Sequence, residues 1–161
     1  MDKKMFCFQC EQTVGCTGCT GNAGVCGKKA DTAKLQDKLT GALIGLAKAV
    51  NDTATISQRT SQVIIEGLFT TVTNVSFDNE AIEKMIREVR AEKERLVPNC
   101  GNCQMPCGKT DEYDMQQLWD ADEDIRSLKS LILFGIRGMA AYAYHANVLN
   151  YEDAEVNQFF C

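Results

Sequence analysis

Apolar side chains recur every three to four residues along most of the chain after residue 30, which is the spacing of one face of an α-helix. The first such stretch predicts a helix that begins at Asp31 or Thr32, because either side chain can cap the free N–H groups of a first turn. Its apolar face is a stripe of leucines closed by a valine, namely Leu35, Leu39, Leu43, Leu46 and Val50.

Two more helices are predicted in the middle of the chain. The stretch from Ser57 to Asn74 has apolar residues at helical spacing, although its many threonines lower the helical propensity. Asp78 is predicted to cap a third helix, which ends before Pro98 because proline interrupts helices. One face of that helix alternates in charge as a solvated face does, and the other is apolar, with Ile82, Met85, Ile86 and Val89.

A long helix is predicted from Asp122 to Asn150, with acidic residues in its first turn, where the helix dipole favours negative charge. Gly135 and Gly138, with nearby alanines, predict a slim surface that another helix approaches closely. A last helix is predicted to begin at Glu152 and to stop abruptly at Cys161, which suggests that the natural chain is longer. We expect the buried stripe of the long helix to be Leu128, Leu131, Ile132, Gly135, Met139, Tyr142 and Ala146.

The pattern as a whole predicts an all-α protein, a helical bundle like a three-helix bundle, with a cysteine-rich loop at its N-terminus. No strand pattern of any length competes with this interpretation. We expect one domain over residues 1–161. It is divided into a cysteine-rich loop (1–30), helices (31–97), a second cysteine loop (98–112) and further helices (113–161).

The cysteine content is higher than stability requires. The chain has nine cysteines in 161 residues, and 45% of its residues are hydrophobic, so a core forms without disulfides. An odd number of thiols cannot pair completely within one chain, and this composition favours metal or redox chemistry in the cytoplasm.

Charge and hydropathy exclude several classes of protein. The net charge is −5, but residues 1–50 carry a net +3 and residues 99–161 a net −6. No basic cluster is long enough to predict nucleic-acid binding, and the acidic end is interpreted as a solvated surface. No apolar run reaches the roughly 18 residues of a membrane span, and the N-terminus does not have the pattern of a signal peptide.

The N-terminal segment contains the residues that can bind a metal or a cluster. Cys7 and Cys10 are separated by two residues, so both thiolates can reach one metal centre. The glycines that follow leave the backbone free to wrap around a large inorganic group and to direct N–H groups at it. Thiolates suit an iron–sulfur cluster or zinc, and the wide spacing after the first pair favours a cluster.

Several motifs resemble the hybrid cluster proteins, a family also called hydroxylamine reductases or prismane proteins. They are Phe6-Cys-Phe-Gln-Cys-Glu-Gln-Thr13, Gly18-Cys-Thr20, Gly24-Val-Cys-Gly-Lys28, Leu35-Gln-Asp-Lys-Leu39, Gly67-Leu-Phe-Thr-Thr-Val-Thr-Asn74, Glu123-Asp-Ile-Arg-Ser-Leu128, Gly138-Met-Ala-Ala-Tyr142 and His145-Ala146. The resemblance covers essentially the whole chain. It implies the helical N-terminal domain of an oxidoreductase that reduces hydroxylamine to ammonia, or reduces nitric oxide, with residues 1–30 as a cluster-binding loop.

The resemblance also implies the ligands of one cluster. Carried over position by position, the family pattern points to Cys7, Cys10, Cys19 and Cys26. The gap of eight residues between Cys10 and Cys19 resembles members with a [4Fe–4S] cluster, and [2Fe–2S] or zinc are the alternatives. Cys16 is then a spare loop thiol, or it competes with Cys19.

The reducing site of the family is not expected within this chain. In the family, reduction takes place at a second, iron–sulfur–oxygen cluster whose ligands come from later domains. The single histidine here, His145, is expected to be a packed or surface residue. The resemblance therefore implies an electron-transfer domain without catalytic residues. Its partners are the remaining domains of a longer chain or a redox protein, and the isolated domain is expected to self-associate through exposed docking faces.

A second group of thiols, Cys100, Cys103 and Cys107, lies on a loop bounded by proline and glycine and also resembles some shorter members of the family. These thiols could hold a metal, with a fourth ligand from Cys16, Cys161 or Asp111, but the simpler interpretation is a loop whose thiols are free, or oxidised in air.

The sequence also leaves open two functions other than electron transfer. One is a zinc-stabilised helical interaction module without a redox role. The other is a redox sensor that forms reversible disulfides through Cys16 and the 100–107 thiols.

Overall fold

A computed structural model describes residues 5–10, 17–50, 56–72, 75–97 and 112–160. Within these ranges the protein is all-α, as predicted, and its only extended pairing is an isolated bridge between Cys7 and Cys19. No helix in these ranges has the length and apolar character needed to cross a bilayer. The helices are α1 (Ala30–Val50), α2 (Gln58–Thr70), α3 (Asn79–Leu96), α4 (Met115–Trp119), α5 (Glu123–Val148) and α6 (Ala154–Phe159).

Helix α1 lies at the centre of the bundle and packs against α3 and α2. The predicted stripe is confirmed, since Leu39, Leu43, Leu46 and Val50 are buried in the main hydrophobic core and Leu35 packs against that core. The helix begins one residue before the predicted start. Helices α3 and α2 are therefore the main packing partners of α1.

Helix α2 begins where predicted but ends earlier. The Ser57 side chain accepts a hydrogen bond from the Thr60 N–H and so caps the first turn. At the other end, the Thr71 N–H and hydroxyl both donate to the Leu68 carbonyl, at 3.1 and 2.8 Å. Because Thr71 folds back onto the last turn in this way, the helix ends at Thr70 rather than at Asn74, which lies outside the described residues.

Helix α3 confirms both the predicted cap and the predicted apolar face. The Asp78 carboxylate accepts from the N–H groups of Glu80 and Ala81, and the four apolar residues of the stripe are buried. The charged face has one exception, because Glu92 is only 2% exposed. Its carboxylate accepts a hydrogen bond of 2.6 Å from the Thr60 hydroxyl and further bonds from Arg95, which hold its pKa below the usual value.

The predicted buried stripe of α5 is wrong. Leu128, Leu131, Ile132, Met139 and Tyr142 are 40–83% exposed, Gly135 is exposed and Ala146 is half-buried. The helix instead buries Arg137 and Ala140. Ile136, Ala143 and Tyr144 of α5 pack against the main core, so the inward face of this helix is a different one from the predicted stripe.

The glycines at which another element approaches the helix backbone closely are also not the predicted ones. A Cβ atom added at Gly135 or Gly138 meets no atom within 4 Å among the described residues. The tight contacts are at Gly41, where a Cβ would collide with the Tyr113 carbonyl oxygen, and at Gly67, where it would lie 2.7 Å from a Leu43 methyl group. The glycines that permit close packing are therefore in α1 and α2.

Two short helices complete the described fold. Helix α4, which the sequence pattern did not predict, is capped by the Asp114 carboxylate and packs against α1 and α5. Helix α6 begins two residues later than predicted, with Asp153 as its cap, and packs against α2. Helix α4 is the one that reaches the cysteine-rich segment.

Candidate metal centre

The N-terminal segment brings Cys7 and Cys19 together in a two-residue antiparallel bridge. Each residue donates its backbone N–H to the carbonyl of the other, at 3.1 and 2.8 Å, and both side chains are buried. Directly opposed residues of an antiparallel pair present their side chains on the same face. The bridge therefore places two thiols side by side, although eleven residues separate them along the chain.

Gly18 makes this bridge possible. Its φ of +94° is unfavourable for residues with a side chain, and a Cβ at this position would lie 2.9 Å from the Phe6 ring. The chain thus turns into the bridge at a position that only glycine occupies without strain.

The other two candidate thiols lie half-buried in the same segment. Cys10 follows the bridge residue Cys7 by three positions. Cys26 lies on a turn closed by a hydrogen bond of 2.8 Å from the Gly24 N–H to the Lys28 carbonyl. A Cβ at Gly24 would lie 3.5 Å from the Cys26 sulfur, so the backbone approaches this sulfur closely.

Opposing effects act on the Cys7 thiol. Burial raises the pKa of Cys7 above its usual value, while a hydrogen bond from the Gln9 backbone and the positive charge of Lys28 lower it. The last two influences favour the thiolate, which is the form that binds metals. The surroundings of Cys7 therefore suit a thiolate once a cation offsets the cost of its burial.

A chain of polar side chains ties this segment to α1. The buried Lys28 ammonium donates to the Gln9 side-chain oxygen at 2.6 Å. The Gln9 amide in turn donates to the Ala33 carbonyl at 2.9 Å and to the Asp37 carboxylate at 2.7 Å. Because buried polar groups are costly without partners, these bonds fix the loop against the first turns of α1.

Asp37 and Arg137 connect the same region to the centre of the bundle. Burial raises the pKa of Asp37 to about 6, against the opposing effects of the Gln9 amide and of the charges on Arg137 and Lys28. Arg137 donates to the hydroxyls of Thr71 and Thr40, both at 2.9 Å, and its own burial lowers its pKa to about 10. The buried guanidinium thus joins α5 to α1 and to the end of α2.

We expect replacement of Asp37 by asparagine to change how stability depends on pH. The raised pKa means that the folded state binds the proton more tightly than the unfolded state, so this stabilisation is present below pH 3.8 and is lost as the pH rises through about 6. Between about pH 4 and pH 7.5, the free energy of unfolding of Asp37→Asn should rise relative to the wild type by about 2–3 kcal/mol. Urea unfolding at both pH values measures this difference, and parallel pH profiles would contradict it.

Three aromatic rings pack together beside the bridge. Phe6 and Phe8, which flank Cys7, have ring centroids 5.1 and 5.0 Å from that of Trp119 at the end of α4. Arg126 also lies over the tryptophan ring, 4.8 Å from its centroid, and donates to the Trp119 carbonyl at 3.0 Å. Helix α4 therefore packs its tryptophan against the residues on either side of Cys7.

The structure brings together some of the predicted ligands. Cys7 and Cys19 are paired, while Cys10 and Cys26 lie in the same segment without completing a metal site. Among the described residues, no group of three or more His, Cys, Asp or Glu side chains is arranged to hold one metal ion. The donor chemistry of the segment nevertheless fits a thiolate-bound cluster, because two buried thiols share one face and a lysine charge acts on one of them.

The remaining candidates lie outside the described residues or away from the site. Cys16, Cys100, Cys103, Cys107, Asp111 and Cys161 are in the first group. His145 lies exposed on α5, with its ring centroid 5.4 Å from that of Phe69.

Sequence reasoning missed the polar and aromatic residues that support the thiols. Gln9 lies between Cys7 and Cys10, and Lys28 lies two residues after Cys26, so proximity to the motif was a usable signal for both. No such signal existed for Asp37 or Trp119, because they lie 28 and 111 positions along the chain from Gln9 and Phe8, the loop residues that they contact.

Comparison with known proteins identifies relatives for nearly the whole chain. The family model described as the Prismane/CO dehydrogenase family matches residues 5–161. A hydroxylamine reductase of Methanococcus vannielii is 38% identical over 179 aligned positions, which include 96% of this chain. One of Clostridium perfringens is 40% identical over 176 positions, and one of Porphyromonas gingivalis is 38% identical over 179 positions. The alignments cover 32% of each of these relatives, so the chain spans about a third of their length.

Proposed function

We propose that this chain, which belongs to the Prismane/CO dehydrogenase family, is an iron–sulfur electron-transfer domain of a hydroxylamine reductase-like protein. Its cofactor is a [4Fe–4S] cluster held by Cys7, Cys10, Cys19 and Cys26. The observation that carries the proposal is the bridge that places two of these thiols, both buried, on one face. Thiolates are the usual ligands of such clusters.

The roles of the surrounding residues follow from their positions. When bound, the cluster would supply reversible one-electron chemistry. The Gln9 backbone hydrogen bond and the Lys28 charge act on the Cys7 sulfur and stabilise its negative form. Phe6, Phe8 and Trp119 pack together beside Cys7 and hold the two residues that flank this sulfur in place.

The reduction of hydroxylamine is assigned to another part of the protein. The relatives named as hydroxylamine reductases are about three times as long as the aligned chain, and we place the reducing site in the portion that this chain does not span. The partner of the domain is then that portion of a longer protein or a separate redox protein. The exposed apolar side chains of α5, which include Leu131 and Tyr142, are consistent with packing against further protein.

The proposal is tested by purifying the chain without oxygen, reconstituting it with iron and sulfide, and adding dithionite. We expect a broad visible absorption that bleaches on reduction and returns on reoxidation, together with bound iron and inorganic sulfide. Zinc without sulfide would instead favour a zinc-stabilised interaction module and would contradict the proposal.

The 100–107 thiols are proposed as a separate group that the first cluster does not require. A variant with Cys100, Cys103 and Cys107 all changed to serine should keep the full visible absorption per chain after reconstitution. Loss of that absorption would assign one or more of these thiols to the first cluster.

A further inference from the structure

The bridge between Cys7 and Cys19 has the backbone geometry that a disulfide requires. The two residues exchange both backbone hydrogen bonds, at 3.1 and 2.8 Å, so they are a directly opposed, hydrogen-bonded pair. The Cα atoms of such a pair lie about 5.5 Å apart, which is inside the range of about 4.4–6.8 Å that disulfides span. The folded loop therefore holds these two free thiols at a separation that one bond can close.

The surroundings of the two sulfurs favour an uncharged pair. Burial raises the pKa of the Cys7 thiol most, and a negative charge on the nearby Cys19 sulfur raises it further. Both side chains are buried, with 6% and 7% of their surface exposed. A buried thiolate is costly without a cation, whereas a disulfide carries no charge and avoids this cost. A disulfide is therefore the form that suits this site when no metal shares it.

We propose that Cys7 and Cys19 form a reversible disulfide in the cluster-free chain, and that this bond controls whether the loop accepts its cluster. The control rests on the proposed iron–sulfur function, because these residues are two of the four proposed ligands. The bond withdraws both sulfurs from the ligand set at once, so a cluster cannot form until the bond is reduced. While it lasts, it also keeps the two sulfurs from irreversible oxidation to sulfinic or sulfonic acids.

The oxidant is a small-molecule disulfide such as oxidised glutathione, and the reaction is thiol–disulfide exchange. A loop thiolate attacks one sulfur of the oxidant, so that a mixed disulfide forms and one glutathione thiol leaves. A second loop thiol attacks the mixed disulfide and releases the other glutathione thiol. Among the described cysteines, the half-buried Cys10 and Cys26 react first, and further exchange moves the bond to the buried pair. In total, Cys7 and Cys19 lose two electrons and two protons, which reduce one glutathione disulfide to two thiols.

The pairing is tested on the full chain, free of iron, in an anaerobic glutathione redox buffer. Free thiols are blocked by alkylation, and the unreduced chain is digested and analysed by mass spectrometry. Cleavage after Glu11 separates Cys7 and Cys10 from Cys19, and fragmentation of the linked peptides identifies the bonded residues. We expect Cys7–Cys19 to be the main link within the N-terminal segment. A main link from Cys7 to Cys10, or from Cys10 to Cys26, would overturn the proposal.

Gly18→Ala is the variant that should weaken this bond. Gly18 precedes Cys19 with a φ of +94°, and an added Cβ would lie 2.9 Å from the Phe6 ring. This strain disfavours the loop conformation in which the two cysteines are opposed. We expect the equilibrium constant for closing the Cys7–Cys19 bond against glutathione to fall about tenfold.

Gly21→Ala is the matched control, because Gly21 lies in the same loop but has no positive φ. An added Cβ at this position would lie 3.8 Å from the Ala23 carbonyl oxygen, which is an ordinary contact. The equilibrium constant of this variant should stay within about twofold of the wild type. Equal effects of the two glycine substitutions would show that the bond does not depend on the bridge and would overturn the proposal.

The control over the cluster is tested by placing the chain in the same buffer before and after anaerobic reconstitution with iron and sulfide. We expect the fraction of chains with the Cys7–Cys19 bond to fall in proportion to the cluster content, because these sulfurs cannot serve both. An equal fraction in fully reconstituted chains would overturn the control. If the bond forms but the reduced chain never binds a cluster, the iron–sulfur function fails and the pairing stands. If a cluster forms but the cluster-free chain never forms this bond, the disulfide proposal fails and the iron–sulfur function stands.

Discussion

Replacement of any one of Cys7, Cys10, Cys19 and Cys26 by serine is expected to abolish the visible absorption of the reconstituted protein. Each substitution removes one thiolate from a set of four, and an alcohol is a much weaker ligand for iron. The loss of bound iron should exceed the roughly 10- to 100-fold loss in affinity that follows removal of a group that only supports a ligand. Absorption spectra and iron and sulfide analysis of the four variants, reconstituted in parallel, measure the effect.

Cys16 provides the matched control, because it lies in the same cysteine-rich segment without a place in the proposed ligand set. Cys16→Ser should retain the spectrum and the iron content of the wild type. Far-UV circular dichroism of all five variants checks that the helices persist. A normal cluster in Cys19→Ser together with its loss in Cys16→Ser would exchange the roles of these two residues and contradict the assignment.

Replacement of Gly41 by alanine is expected to destabilise the protein, although alanine is the better helix former. Gly41 lies in α1, and an added Cβ would collide with the backbone oxygen of Tyr113, which cannot rotate away as a side chain can. The collision would displace the segment that leads into α4 and break the bond from the Tyr113 N–H to the Gly41 carbonyl, 3.2 Å in the structure. We expect the free energy of unfolding to fall by about 2 kcal/mol, the cost of overpacking less the helical preference for alanine.

The same variant should also disturb the packing of Trp119 against Phe6 and Phe8. The chain has a single tryptophan, Trp119, at the end of α4, so its fluorescence reports on the position of that helix. A red shift of the emission in Gly41→Ala would show that the ring has moved away from Phe6 and Phe8 into water.

Gly135 supplies the control for this prediction, since it is also in the middle of a helix but has open space around it. Gly135→Ala should raise the free energy of unfolding by about 0.5–1 kcal/mol, because alanine loses less backbone entropy in a helix. Urea unfolding of both variants measures the two changes. A Gly41→Ala protein as stable as the wild type, or a Gly135→Ala protein that is destabilised, would contradict the packing described for α1 and α5.

The helices that the sequence predicted well are those whose limits depend on local interactions. Asp78 and Asp122 cap α3 and α5 through bonds to N–H groups two or three residues away, and such signals can be read directly from the sequence. The apolar stripe of α1 was predicted correctly because its leucines recur at helical spacing, although α1 also buries polar residues beside that stripe, among them Gln36 and Thr40. Helix α4 was missed because five residues are too few for a periodic pattern.

The orientation of α5 depends on contacts far apart in the chain. Arg137 bonds to Thr40 and Thr71, which precede it by 97 and 66 residues. A periodicity argument assigns the inward face to apolar residues and places an arginine outside. Arg137 is buried because two threonine hydroxyls accept hydrogen bonds from its guanidinium. Both threonines are distant from it in sequence, so the sequence around Arg137 does not predict these bonds.

The candidate metal centre also combines features that depend on neighbouring residues with features that depend on contacts between distant ones. The cysteine spacing indicates ligand chemistry, but the pairing of Cys7 with Cys19 depends on the turn at Gly18 and on the Phe6 ring beside it. The bonds from Gln9 to α1 join residues 24 and 28 positions apart. The supporting residues are therefore known only from the fold, whereas the thiols are evident from the sequence.

The most direct test of the proposed iron–sulfur function is the Mössbauer spectrum of the chain reconstituted with ⁵⁷Fe under anaerobic conditions, combined with chemical analysis of iron and sulfide. We expect about four iron and four sulfide ions per chain, the spectrum of a [4Fe–4S] cluster, and an electron paramagnetic resonance signal that appears after one-electron reduction. A folded chain that binds zinc or isolated iron at these cysteines, without inorganic sulfide, would contradict the proposed function.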